Sequence, residues 1–108
     1  MAELINLDAA AELELDRARL NPHGRSARAL MHDGRLRHTL IALLDGQALG
    51  DHPKPEAATL HVLSGTMLVH ADEGETRVET GQLVMLPGPR HDVTAVGEAV
   101  AILTTIAG

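Results

Sequence analysis

The chain has 108 residues and a net charge of −6, and it contains neither cysteine nor Phe, Tyr or Trp, a composition that fits one ordinary globular domain. The negative charge argues against nucleic acid and anionic membrane surfaces as partners, and the missing cysteines exclude disulfides and thiolate metal sites. No apolar run approaches the roughly 20 residues of a membrane span, and the acidic N-terminus differs from a secretory signal, so we expect a cytoplasmic protein.

The first predicted element is a short helix in an N-terminal arm. Asp8 can cap a helix, alanines follow it, and Glu12 falls in the same window, so one or two turns are expected over residues 8–15. The stretch NPHGRS at residues 21–26 has the composition of a loop. We therefore assign residues 1–29 to the arm and residues 30–108 to the main domain.

The rest of the chain has the pattern of an all-β domain. Short apolar stretches are separated by turn residues, and they include RLRHTLIALL, ATLHVL, TMLVHA, QLVML, HDVTAV and AVAILTTI. Many short strands at a spacing of roughly 8–12 residues are typical of a β-sandwich or barrel. Pro87 and Pro89 cannot donate to a strand ladder, so they mark a bend before the last two stretches.

Two stretches that contain glycine and histidine carry a more specific signal. Their markers are, in chain order, Gly46, His52, Gly65, Gly81, Pro87 and His91. Five residues separate Gly46 from His52, and five separate Gly81 from Pro87. This spacing, together with the sequence LPGPRHDV, resembles the two motifs of the cupins, and specifically the small single-domain cupins of type 2. The resemblance covers roughly residues 30 to 106.

The resemblance implies a fold and a metal site. The implied fold is all-β, a double-stranded β-helix or jelly-roll barrel of two antiparallel sheets, with the short N-terminal helix or arm beside it. In the family, two histidines and a glutamate of the first motif join a histidine of the second around a divalent transition metal. Here His52 and His91 stand at two of those positions, whereas Lys54 and Ala58 replace the other two ligands.

The implied metal site is therefore incomplete. A catalytic metal usually has three protein ligands and an open position, and two neutral imidazoles are a weaker anchor. Glu56 shares the strand parity of residue 58, which makes it the candidate substitute ligand. Lys54 opposes a cation. An ammonium group and two imidazole N–H groups instead favour a carboxylate or another small anion beside His52 and His91.

The predicted ligand pocket continues into an apolar wall. By strand alternation Leu60 and Val62 share the face of Ala58, and the family pattern points Met67 inward. Met85, on the stretch before the proline bend, is a further candidate for this wall. The expected site is a small apolar cavity with a few polar groups at one end, which is the usual form of a ligand pocket.

Three functions stay open at this point. The first is the binding of a small, carboxylate-bearing molecule through His52, Lys54 and His91. The second is a metal-dependent enzyme of the isomerase or dioxygenase type, using His52 and His91. The third is a dimeric scaffold or interaction protein. A homodimer is also expected, because HTLIALL and AVAILTTI are apolar on both strand faces and need cover from the arm or from a partner, of which a partner is the favoured source.

Overall fold

A computed structural model describes residues 3–50, 52–53, 57–88 and 90–106, with the backbone alone for residues 52–53. In these described residues one helix precedes seven strands. Their bounds are α1 Leu7–Leu20, β1 Arg25–Asp33, β2 Leu36–Leu43, β3 His52–Pro53, β4 Ala57–Ala71, β5 Gly74–Glu79, β6 Leu83–Met85 and β7 Arg90–Ile106. Within the described part of the chain, no helix has the length and apolar character needed to cross a bilayer.

The strands form one antiparallel hydrogen-bonded network that folds into two layers. Its order is β1-β2-β7-β4-β5, with β3 on β7 and β6 on β4. The C-terminal half of β7 pairs with β2 and with the N-terminal half of β4, and β6 extends this first layer. The N-terminal half of β7 pairs with β3 and with the C-terminal half of β4, and β5 completes the second layer.

Apolar side chains of both layers meet between them. Ile41 and Leu43 on β2 belong to the same buried cluster as Met67 and Val69 on β4 and Val93 on β7. Because side chains alternate along a strand, alternate residues of β4 and β7 contribute to this core. The fold is thus a two-layered antiparallel barrel, as the sequence predicted.

The two layers are joined at a corner where β4 and β7 bend. The pairing of these strands slips between Val62 and Thr66, and Gly65 has a φ of +80°. A Cβ atom on Gly65 would lie 2.3 Å from the carbonyl oxygen of Glu98 and 2.9 Å from the Cα of Ala99. The turn residues that separate ATLHVL from TMLVHA therefore form a bend within one continuous strand, and we correct the expectation of separate strands accordingly.

Helix α1 covers the outer face of the first layer. Its Ala10 and Ala18 pack against Leu40, Val100 and Ile102 in a second buried cluster. The Asn6 side chain caps the helix by accepting a hydrogen bond from the backbone N–H of Ala9 at 3.1 Å. Arg19 in the last turn makes a two-pronged ion pair with Glu98 at the corner, with distances of 3.0 and 2.6 Å.

Two expectations about the arm need correction. The helix has 14 residues instead of one or two turns, because packing of its small residues against the sheet extends it beyond the capped segment. The first strand begins at Arg25, so the boundary predicted at residues 29 and 30 falls inside a strand. Alternation in RSARALMHD, paired with β2, accounts for the earlier start.

The helix also supplies the cover for which the sequence pattern favoured a partner chain over the N-terminal arm. Leu40, Ala42, Val100 and Ile102 are the outward apolar positions of the two strands, and they pack against α1 of the same chain. The arm thus accounts for the apolar character on both faces of these strands. A homodimer stays a prediction, without that argument in its favour.

The corner yields a prediction for Gly65→Ala. We expect this variant to lose more than about 3 kcal/mol of unfolding free energy, because the added methyl group would overlap backbone atoms. Gly46→Ala is the matched control, since Gly46 has a similar φ of +77° and nothing within 4 Å of the added Cβ. It should lose only the cost of the left-handed conformation, about 1–2 kcal/mol. Urea unfolding followed by circular dichroism measures both, and equal losses would contradict the close approach at the corner.

The ion pair at the corner yields a pH prediction. The hydrogen bond from Arg19 lowers the pKa of Glu98 below its ordinary value of 4.5, against the opposing effect of desolvation. The stabilisation is therefore present above pH 4.5 and is lost as the pH falls through the lowered pKa. Glu98→Gln should lower the melting temperature at pH 7 and lower it less at pH 3. Glu73→Gln, at an exposed turn, is the charge-matched control, and a Glu98→Gln loss of the same size at both pH values would rule out this linkage.

Candidate functional site

Three of the predicted wall residues lie in the barrel interior. Leu60, Val62 and Met67 are almost completely buried and belong to the cluster between the two layers. Their inward orientation follows the predicted alternation. They pack against other apolar side chains there, and none of the cavities described below is lined by them. Their part in a ligand pocket stays a prediction.

The expectation for Met85 is wrong. Its side chain is 74% exposed, whereas its neighbour Val84 packs against the interior cluster. On the short strand β6, Met85 pairs with Thr59, and Thr59 lies between Ala58 and Leu60, which point inward. Because alternation is fixed by the partner strand, Val84 takes the inward position and Met85 the outward one.

Of the predicted polar site residues, His91 is the one whose side chain the structure describes. Its side chain is only 2% exposed, and it has the same strand parity as Val93 and Ala95, two members of the interior cluster. Its Nδ1 atom lies 3.0 Å from the carbonyl oxygen of Pro87. A carbonyl oxygen can only accept, so Nδ1 carries the proton, and in the neutral ring Nε2 is the basic nitrogen.

The other predicted polar residues lie wholly or partly outside the described residues. The backbone of His52 is described, and its register partner on β7 is His91. Residues that pair directly across an antiparallel ladder are close neighbours. Nothing is described of the His52 side chain, and Lys54 and Glu56 both lie outside the described residues. Their roles stay predictions.

The donor set does not fit the metal site that the family resemblance implies. Among the described residues, no group of three or more His, Asp or Glu side chains is placed to hold a metal ion. Ala58, at the position of the family's glutamate, is a buried member of the apolar interior. A carboxylate ligand is therefore replaced by a methyl group, and Lys54 replaces one imidazole. We derive no reaction step through a metal from this arrangement.

A cavity of about 300 Å³ lies at the end of the second layer beside His91. Its lining comprises His70, Ala71, Asp72, Arg90, His91 and Asp92. Asp92 is engaged, since its Oδ1 accepts hydrogen bonds from the backbone N–H groups of Gly50 and Val93 at 2.9 and 2.7 Å. Two carboxylates accompany one guanidinium here, so the described lining does not favour an anion.

A larger opening lies along β1, on the inner side of the first layer. Arg25 and Ala27 pair with Leu43 and Ile41 and share their inward face, yet both are exposed whereas Leu43 and Ile41 are buried. Among the described residues the second layer does not cover β1, and we call the resulting cavity of about 470 Å³ the inter-layer cleft. It is lined by Asn21, His23, Arg25, Ser26, Ala27, Ile41, Leu43 and Leu49.

The inter-layer cleft has an apolar floor and a polar rim. We call its four apolar lining residues, Ala27, Ile41, Leu43 and Leu49, the floor. At the rim, Arg25 donates from Nη1 to the carbonyl oxygen of Ala48 at 3.2 Å, which links β1 to the segment before β3. Arg25 was not predicted as a site residue, because NPHGRS has the composition of a loop. The alternation of Arg25 with Ala27 and Ala29 is the sequence signal that indicates a strand beginning at Arg25.

Known proteins share this architecture. No protein-family model matches the chain, and neither does any curated protein. A conserved protein of unknown function from Streptococcus pyogenes superposes with a TM-score of 0.75 at 24% identity, over 100% of this chain and 90% of its own. A cupin-2 domain protein from Shewanella frigidimarina gives 0.74 at 17% identity, over 95% and 94%.

An enzyme shares the architecture as well. A salicylate 1,2-dioxygenase from Pseudaminobacter salicylatoxidans gives a TM-score of 0.77 at 14% identity, over 91% of this chain and 33% of its own. At such identities the likeness establishes the fold alone. The chain folds as a small cupin domain.

The contact of His91 with Pro87 predicts the tautomer of the ring. We expect the neutral His91 side chain to carry its proton on Nδ1, because the Pro87 oxygen only accepts. Long-range ¹H–¹⁵N NMR spectra of uniformly labelled protein distinguish the two ring nitrogens, and exposed His32 serves as the internal reference. A protonated Nε2 with an unprotonated Nδ1 at neutral pH would show that the hydrogen bond to Pro87 does not form.

Proposed function

We propose that this cupin domain binds a small organic molecule in the inter-layer cleft. The observation that supports the proposal is the exposure of the inner face of β1. Arg25, Ala27 and Ala29 occupy inward positions of a barrel strand and are nevertheless open to solvent. In a barrel that is packed elsewhere with apolar side chains, this is the side on which a ligand reaches the interior.

The shape and the chemistry of the cleft support a ligand of modest size. A volume of about 470 Å³ falls in the range of small-molecule sites, which is roughly 300–1,000 Å³. Ile41 on β2 and Leu49 in the segment before β3 offer apolar surface, and the exposed Asn21, His23 and Arg25 offer polar groups. An apolar body therefore removes surface from water while a polar group stays at the rim.

The metal-dependent enzyme remains a separate proposal. Its support is the basic Nε2 of His91, which suits a metal ligand whose other nitrogen donates to a carbonyl. Against it stand Ala58 and Lys54 at the positions of two family ligands. The ligand site at the inter-layer cleft uses neither His91 nor a metal, so the two proposals are independent.

The proposal predicts that filling the cleft blocks binding. Hexanoate should shift the ¹³C-methyl NMR signals of Ile41, Leu43 and Leu49 in a saturable manner. Ala27→Leu should weaken this binding by about tenfold or more, because the larger side chain occupies the floor of the cleft. Ala29→Leu is the matched control, since Ala29 lies on the same exposed face of β1 but does not line the cleft.

The pattern of shifts decides the outcome. Saturable shifts of the Ile41, Leu43 and Leu49 methyl signals, with an affinity that Ala27→Leu lowers and Ala29→Leu retains, would support binding in the inter-layer cleft. Shifts absent in the parent protein, or unchanged in Ala27→Leu, would overturn the proposal.

A further inference from the structure

We propose that the inter-layer cleft selects a monocarboxylic acid with an apolar body and that Arg25 is the residue that recognises the carboxylate. The inference rests on the proposed function and adds the chemical class of the ligand. It is carried by the placement of a guanidinium at the rim of an apolar cavity whose described lining contains no carboxylate.

The charge of the cleft differs from that of the chain. The protein has 15 acidic and 9 basic residues, and the lining of the cavity beside His91 contains two aspartates. The described lining of the inter-layer cleft contains Arg25 and His23 and neither aspartate nor glutamate. An anion at this rim therefore meets an opposite charge without a neighbouring like charge among these residues.

The guanidinium is held in place while it keeps donors available. The hydrogen bond from Nη1 to the Ala48 carbonyl oxygen fixes the head group across the opening. A guanidinium carries five N–H donors in a planar fork, which matches the two oxygens of a carboxylate. The one hydrogen bond described for Arg25 uses one of these donors. Fixing the head group lowers the entropy cost of forming a two-pronged contact.

The floor of the cleft determines which kind of ligand body is favoured. Ala27, Ile41, Leu43 and Leu49 present aliphatic surface, and the chain contains no Phe, Tyr or Trp ring against which a ligand could stack. Apolar burial favours an alkyl or similarly hydrophobic body, and it does so without a preference for ring geometry. A carboxylate alone, such as acetate, lacks this contribution.

Three probes separate the parts of the inference. Hexanoate has both features, hexanamide has the same body without the charge, and acetate has the charge without the body. Titration of each into the intact protein, followed by the methyl signals of Ile41, Leu43 and Leu49, should give affinities that are highest for hexanoate. We expect hexanamide to bind at least about fivefold more weakly, because it cannot form the charge-assisted contact with Arg25.

Variants of Arg25 identify the residue responsible. Arg25→Gln should weaken hexanoate about fivefold to tenfold and leave hexanamide within twofold, and Arg25→Lys should fall between the parent protein and Arg25→Gln. Arg77→Gln, on an exposed face of β5 away from the cleft, removes the same charge and should change neither affinity. The dispersion of the methyl spectrum reports whether each variant remains folded.

The possible results are distinct. Equal binding of hexanoate and hexanamide to the parent protein would overturn the acid preference while the proposed binding function stands. A hexanoate preference that persists in Arg25→Gln would overturn the assignment to Arg25. If neither hexanoate nor hexanamide binds, the proposed function itself is overturned.

Discussion

The close approach of β4 and β7 at the corner determines the arrangement of the whole molecule. Gly65 lies so near the backbone of Glu98 and Ala99 that no side chain fits between the two strands. Each strand can therefore turn from one layer into the other without losing its partner. The same corner receives the last turn of α1, because Arg19 pairs with Glu98. The helix and both layers therefore contact one another at this corner.

Two polar side chains with inward strand parity, Arg25 and His91, are each anchored in the same manner. The guanidinium of Arg25 contacts the carbonyl oxygen of Ala48, and the ring of His91 contacts that of Pro87. Both carbonyl groups belong to segments between strands. These segments therefore orient polar groups at the edges of an interior that is otherwise apolar. The layers position the two strands, and the connecting segments contribute the carbonyl groups that hold the polar side chains.

The sequence predicts the fold better than the site. Turn residues at regular spacing, together with the spacing of Gly46, His52, Gly81 and His91, are sufficient for an antiparallel barrel of the cupin type. They cannot predict that Gly65 bends a continuous strand instead of ending it, because a turn and a corner have the same composition. The outward position of Met85 depends on its pairing with β4, a contact distant in sequence.

The sequence does not predict the inter-layer cleft, for a related physical reason. The motif predicts site residues within residues 52–58, whose side chains are mostly outside the described part of the chain. The inter-layer cleft arises instead from an absence of cover over β1. Burial of an alternating strand depends on what lies opposite, and composition does not report it. Arg25 becomes a candidate only when Leu43 and Leu49 are seen beside it.

The shared strands also bear on how the chain folds. Residues 57–71 and 91–106 pair with each other along both layers, so Ala57 meets Ile106 at one end and Ala71 meets His91 at the other. Neither layer can be completed before these two distant segments come together. The loop that must close to bring Ala57 to Ile106 spans nearly half the sequence, which raises the contact order and slows two-state folding relative to helical domains of similar size. Helix α1, which forms from local contacts, has no stable surface to dock on until that closure has taken place.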